Sequence, residues 1–188
     1  MAAGTVAEVS ADPVLALARE GKPREALALC AREHGRALGR FCMALLGDQA
    51  EAEEVLQESL LAAFDGFDSL RGDAVRPWLY GIARRMCARR LAKRARRAGR
   101  LRLIHDAEGA SEGADELLER RRRAATVRAG LEELKPSDRE ALLLRFEAGL
   151  SYREVGELQS IDEATARKRT SRALARLRAV LHSSGALR

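Results

Sequence analysis

Four side chains near the end of the chain stand in a pattern that can read nucleic acid. Arg167, Lys168, Ser171 and Arg172 fall at positions i, i+1, i+4 and i+5 of a segment that starts after Asp162. On a helix these positions point the same way. Arg and Lys can pair with guanine O6 and N7, and Ser or Arg can also hold phosphate. A solvated basic face is the bland alternative, and a short capped helix directly ahead of this one argues against it. Cys30, His34 and Cys42 form a second set with chemical potential, because Cys30 and His34 lie one helical turn apart. They also fall on an apolar stripe, where Cys behaves as a small hydrophobe. The expectation is a packed core, with no metal and no cofactor. The sequence shows no Gly-rich phosphate loop, catalytic triad or close carboxylate-and-His constellation. The expectation is a protein that is not an enzyme.

The elements that must position these residues are helices. From Pro23 to Leu46 apolar residues recur at Leu27, Cys30, Ala31, His34, Leu38, Phe41, Cys42 and Leu45, the spacing of one buried stripe. Gly47 ends it. Asp48 and Glu51 predict a capping box. The helix that follows buries Val55, Leu56, Leu60, Ala63 and Phe64 and turns Glu53, Glu54, Gln57 and Glu58 outward. Asp65 to Arg76 reads as a loop. Pro77 fits the first turn of the next helix, which buries Trp78, Leu79, Ile82, Ala83 and Met86. Gly99 to Ala114 reads as a flexible linker. Structure resumes near Asp115 and runs to Leu134. Ser137 with Glu140 and Ser151 with Glu154 predict two further capping boxes, and Gly149 a C-terminal cap. Asp162 can cap a last long helix reaching about His182. Its buried stripe is Ala166, Thr170, Ala173, Leu174, Leu177 and Leu181. Leu150 to Arg178 therefore reads as a helix-turn-helix, whose second helix lies in the major groove.

Charge and composition agree with this reading. The chain has 188 residues, a net charge of +6 and 4% aromatics. That mix suits helices and is poor for strands. From Phe41 to Leu70 there are seven acids and no Lys or Arg; from Arg71 to Arg102 there are twelve bases and one acid. Two partners are implied, or one partner with two faces. No apolar run approaches the roughly 20 residues that span a bilayer. Met1 to Pro13 lacks the features of a secretory signal, so the expected location is cytoplasmic, with no membrane partner. Three cysteines without a close pair argue against a disulfide framework.

The segment Leu150-Ser151-Tyr152-Arg153-Glu154-Val155, continued through Thr165, Arg169, Ala173 and Leu177, resembles the C-terminal helix-turn-helix of sigma-70 family factors of the extracytoplasmic-function group. Leu134-Lys135-Pro136, Arg139-Glu140-Ala141 and Leu144-Arg145-Phe146 match the helix leading into it. Gly47-Asp48, Ala52-Glu53-Glu54-Val55 and Gln57-Glu58-Ser59 resemble the family's polymerase-binding helix. Arg71-Gly72 and Trp78-Leu79-Tyr80-Gly81-Ile82-Ala83-Arg84 resemble the helix that engages the −10 element. Four departures stand out. Arg85 replaces a frequent Asn, Gly156 a common Ala, Gln159-Ser160 the usual Leu-Gly of the turn, and Ala166 a usual Val. The first changes the contact expected at that position, and the other three predict a second domain less stable than is typical.

The resemblance implies an all-α fold of two small helical domains joined by a flexible linker, the second containing the helix-turn-helix. The domains are expected at 12–97 and 117–182, with the linker at 98–116. It implies an alternative sigma factor that binds core RNA polymerase, through the β′ clamp helices and the β flap, and promoter DNA. An anti-sigma factor is a further candidate partner. Core binding is expected from Asp48, Glu51, Glu53, Glu54, Gln57 and Glu58. Arg71, Arg76, Arg84, Arg85 and Arg89 are expected at the −10 strand, with Tyr80 a candidate stacking platform and Trp78 assigned to the core. Thr165, Arg167, Lys168, Arg169, Ser171 and Arg172 are expected at the −35 element. The rival is a conventional helix-turn-helix regulator acting without polymerase, which would bind duplex DNA tightly on its own.

Overall fold

The computed structural model describes residues 12–70, 74–100 and 115–183, and among these there is no strand. Helix α1 (Pro13–Arg19) opens at Asp12, whose Oδ1 accepts from the Val14 N–H at 3.0 Å. The other oxygen, Oδ2, accepts from the Val75 N–H at 3.2 Å, where α4 (Val75–Arg100) begins. One carboxylate therefore serves two helix starts and fixes the entry of α4.

Helix α2 (Pro23–Leu46) ends at Gly47, whose φ of +73° suits a residue without a Cβ. Its buried row includes Cys30, His34, Leu38, Phe41, Cys42 and Leu45, on the expected stripe. Helix α3 (Gln49–Gly66) is capped by Asp48, which accepts from the Glu51 N–H at 2.8 Å. The predicted box is only half made. Glu51 turns its carboxylate to Arg94 instead, forming an ion pair at 2.9 Å in which Oε2 accepts no hydrogen bond from the described residues. The helix runs to Gly66 and passes into a 3₁₀ turn, Phe67–Ser69, so the segment expected as a loop is partly helical.

Helix α4 packs on α2 and α3, with Tyr80 edge-on to Phe41 at 5.1 Å. It runs on to Arg100, and α5 (Asp115–Glu132) starts early enough that helix enters both ends of the span expected as linker. Ala and Arg are strong helix formers and sustain the coil where no apolar stripe continues.

Helix α6 (Pro136–Leu142) passes into a π-helical turn, Leu143–Glu147, closed by the Ala148 N–H on Leu143 O at 3.0 Å. The capping box predicted at Ser137 and Glu140 does not form. The helix is preceded by Lys135 without a side-chain cap, and Pro136, which has no N–H, removes one donor that would need capping. Glu140 is drawn away to Arg84 and Gln159. Helices α7 (Tyr152–Gln159) and α8 (Glu163–Ser183) complete the chain.

One hydrophobic core joins both halves. Leu79, Ala83 and Cys87 of α4 share it with Leu144, Leu150 and Val155. Each such fully buried Leu or Val contributes about 1.5–3 kcal/mol. Gly81 leaves the space that Leu158 enters: a Cβ there would stand 3.1 Å from the Leu158 Cδ2. No described helix is long and apolar enough to cross a membrane.

Candidate nucleic-acid interface

The second half of the chain builds a helix-turn-helix from short-range bonds. Ser151 caps α7 in a complete box: its Oγ accepts from the Glu154 N–H at 3.2 Å, and Glu154 Oε2 accepts from the Ser151 N–H at 2.7 Å. The turn places Ser160 at φ +56°, and the Ile161 N–H donates to Gly156 O at 2.9 Å. A Cβ on Gly156 would lie 2.6 Å from the Ile161 carbonyl oxygen. The turn thus needs glycine there, which works against the lower stability expected from this departure. Asp162 accepts from the Thr165 N–H at 2.8 Å and from the Thr165 hydroxyl at 2.6 Å, and these bonds hold its carboxyl below the usual range.

Helix α8 then presents two rows. Ala166, Thr170, Ala173 and Leu181 are buried, and Leu174 and Leu177 pack partly against the core. Arg167, Lys168, Ser171 and Arg172 are all exposed on the other side. Among the described residues, Lys168 and Arg172 have no ion-pair partner. Arg167 pairs with Glu163 at 2.8 Å and lies over the Tyr152 ring. Thr165 and Arg169 differ from their neighbours. The Thr165 hydroxyl is committed to Asp162, and Arg169 is half-buried with Nη1 donating to Gln159 Oε1 at 2.9 Å.

That last bond belongs to a longer chain. Gln159 Nε2 donates to Glu140 Oε2 at 2.9 Å, and Glu140 Oε1 accepts from Arg84 Nε. Arg169, Gln159, Glu140 and Arg84 therefore connect α8 to α4 through polar groups. Arg40 adds a second bridge between the halves, with Nη2 2.7 Å from Glu147 Oε1. The sequence gives no direct signal for this chain; its one visible trace is Gln159 where a Leu is usual.

In the first half, Glu53, Glu54, Gln57 and Glu58 are exposed along α3 as expected, while Glu51 is half-buried. Several of the acids have partners inside the chain. Glu54 and Glu58 both bind Arg90, at 2.5 and 3.0 Å, and Glu53 accepts from Gln49. Leu61, four residues past Gln57, is 62% exposed beside them. Periodicity could have found it, since it lies off the stripe of Val55, Ser59 and Ala63.

The basic residues of α4 divide into two groups. Arg85 and Arg89 are exposed beside a cleft of about 310 Å³ that Trp78 and Met86 also line. Trp78 is half-buried, 5.8 Å from Phe67, and more open than a core assignment implies. Arg76 and Arg84 face the second half instead. Arg76 lies in a cleft of about 410 Å³ with Asp12, Glu33, His34, Gly149 and Glu154, and Arg84 sits on Glu140. Arg71 lies outside the described residues. Tyr80 cannot serve as a stacking platform: it is 1% exposed, and burial, then Glu147, pushes its hydroxyl up to about 12. Burial likewise pushes the Cys30 thiol up to about 11, and the Cys42 sulfur, then burial, raises Cys87. His34 is pushed down by burial and then by Arg76.

A capped helix-turn-helix with one exposed basic row, joined to a helical domain of segregated charge, defines a class of DNA-reading transcription proteins. Sigma-70 region 2 matches residues 30–97, and sigma-70 region 4 matches residues 124–177. The chain is 30% identical over 156 residues to the ECF RNA polymerase sigma factor EcfG of Rhodopseudomonas palustris, covering 80% of this chain and 82% of that one. It is 32% identical over 136 residues to the RNA polymerase sigma-H factor of Pseudomonas aeruginosa, covering 67% and 70%. The sigma factor RpoE of Bartonella quintana, solved with the anti-sigma factor NepR, superposes with a TM-score of 0.67 at 26% identity, covering 85% of this chain and 96% of that one. CnrH, solved with the cytosolic domain of CnrY, has a TM-score of 0.68 at 23% identity, over 91% and 96%, a likeness of fold. The chain belongs to the sigma-70 family, in its extracytoplasmic-function group.

Proposed function

We propose that this sigma factor divides promoter recognition between its halves. The exposed face of α3, with Glu53, Glu54, Gln57 and Glu58 around Leu61, docks on the β′ clamp helices of core RNA polymerase. An apolar residue inside a charged rim supplies contact area, while the charges steer and orient the encounter. Arg85 and Arg89 hold the −10 strand along the cleft beside Trp78, where an unstacked base finds an aromatic wall and a basic track. Helix α8 enters the major groove at −35 and reads bases with Arg167, Lys168, Ser171 and Arg172. The second domain meets the β flap. The work lies with DNA and polymerase in the cytoplasm and needs no catalysis by the chain itself. An anti-sigma protein, as NepR is to the Bartonella quintana relative, is a further partner of the same kind.

The observation that carries this reading is the row of four exposed polar residues on α8, opposite a buried row and behind a complete capping box. The closed contact between the halves adds a condition. Arg84 meets DNA only after it leaves Glu140. The test is run-off transcription with core polymerase. The chain with core enzyme should start transcription at a cognate promoter, and neither component should do so alone. Tight binding of promoter duplex by the isolated chain, with no effect of core enzyme, would favour a conventional regulator instead.

A further inference from the structure

Tyr152 carries two guanidinium groups. The Arg145 Cζ lies 4.8 Å from its ring centroid and the Arg167 Cζ 4.6 Å. Both distances fall within the range where the ring quadrupole attracts a cation. Tyr152 is the first residue of α7, half-buried, and follows the Ser151 cap. Arg145 is tied down elsewhere, since its Nη1 donates to Leu150 O at 2.8 Å. The ring therefore rests against an anchored group and offers a seat to Arg167, which comes from α8.

The two restraints on Arg167 differ in what they use. Glu163 takes an N–H donor at the edge of the guanidinium, through Nη2 at 2.8 Å. The Arg167 Cζ lies over the ring, and a ring that takes the flat face of a guanidinium leaves its in-plane donors free. A stacked arginine can bond O6 and N7 of guanine without leaving the stack. An arginine bound to a carboxylate must first surrender those donors.

We propose that Tyr152 is a positioning residue for base reading: its ring fixes the plane of Arg167, so that the free donors meet the major groove in one orientation. The first helix of the motif thereby aims a side chain of the second. This rests on the reading of α8 as the −35 helix.

The test uses the full chain with core polymerase, on promoters carrying every single substitution in the −35 element. Arg167→Ala first identifies the base pair at which preference is lost. Tyr152→Phe keeps the ring and should leave the preference profile unchanged. Tyr152→Leu keeps apolar bulk without the quadrupole, and should lower discrimination at that base pair by about two- to fivefold while sparing the others. In an Arg167→Ala background the Leu substitution should cause no further loss of preference. Helix content and thermal melting check that the Leu variant folds, and Tyr152→Met replaces it if it does not. An equal loss of output on every promoter, independent and additive losses in the double variant, or an unchanged profile each overturns the proposal. If Arg167→Ala alters preference nowhere, the base-reading role of Arg167 fails, and the proposal with it. If Arg167→Ala flattens one position and Tyr152→Leu does not, the role of the ring alone is refuted.

Discussion

Among the described residues, Glu51, Glu54 and Glu58 of α3 are paired with bases of α4, and of the three bases in the exposed row of α8 only Arg167 is paired with an acid. Glu54 and Glu58 share Arg90, and Glu51 faces Arg94. On α8, among the described residues, Lys168 and Arg172 pair with no acid, and Arg167 pairs with Glu163 one turn earlier. The mode of support differs too. Ion pairs from Arg90 and Arg94 tie α3 to α4, whereas caps, a tight turn and small buried residues place α8, with Arg169 bonded to Gln159 and Arg176 paired with Asp138. A face whose charges are already paired loses part of its field but keeps its shape. A face of unpaired charges is open to a polyanion.

Breaking the turn that places α8 should have the largest effect. Gly156→Ala forces a Cβ against the Ile161 carbonyl, and the second domain should lose about 1–3 kcal/mol. Urea titration followed by helix circular dichroism reads this, and an unchanged midpoint means that the turn has room to relax. Next comes the exposed row itself. Arg172→Ala should reduce discrimination at particular −35 base pairs by about 1–3 kcal/mol. Transcription from singly substituted promoters measures it. A uniform loss across all promoters would make Arg172 a phosphate anchor.

On the other side of the comparison, Glu54→Gln with Glu58→Gln removes both partners of Arg90. Exposed pairs are worth little, so stability should fall by at most about 1 kcal/mol. Affinity for core polymerase, read by fluorescence anisotropy, should fall more clearly. Unchanged affinity would leave these acids with their internal role alone.

The smallest effect is one of pH. Burial and Arg76 depress His34, so the folded chain binds fewer protons than the unfolded chain just below the ordinary value of 6.5. Stability conferred by the neutral imidazole is complete above 6.5 and is lost as pH falls from there toward the folded value. Asp12 and Glu33 in the same cleft oppose the shift without reversing it. Thermal melts across that window should show a decline in the wild type and a flatter profile in His34→Gln.

Much of this was legible in the residues, for a physical reason. The stripes of α2 and α8, the caps at Ser151 and Asp162 and the stop at Gly47 are local devices, and each involves residues within a few positions of one another. The exposed row of α8 follows from the same periodicity. What sequence spacing missed is contact between distant segments. Glu140 looks like half of a capping box until Arg84 and Gln159 compete for it. Tyr80 looks like a platform until packing against Phe41 leaves it buried. Arg76 and Arg84 look like their neighbours Arg85 and Arg89, and only the packing of the halves separates them. Gly156 looks like a weak point of α7 until the turn brings Ile161 back upon it.

The chain of Arg84, Glu140, Gln159 and Arg169 has a consequence for ionic strength. Each duplex phosphate contact lowers log K against log salt by about 0.9 through released counterions. The bridges between the halves also weaken as salt is added, but less than exposed pairs would, because Arg84 and Glu140 are only 31% and 16% exposed. On the proposal that Arg84 leaves Glu140 to meet DNA, salt slightly eases that separation while it opposes the binding that follows. The two dependences have opposite signs, and their sum is a slope shallower than the count of phosphate contacts implies. Glu140→Gln, which removes the charge that holds Arg84, should restore the steeper slope.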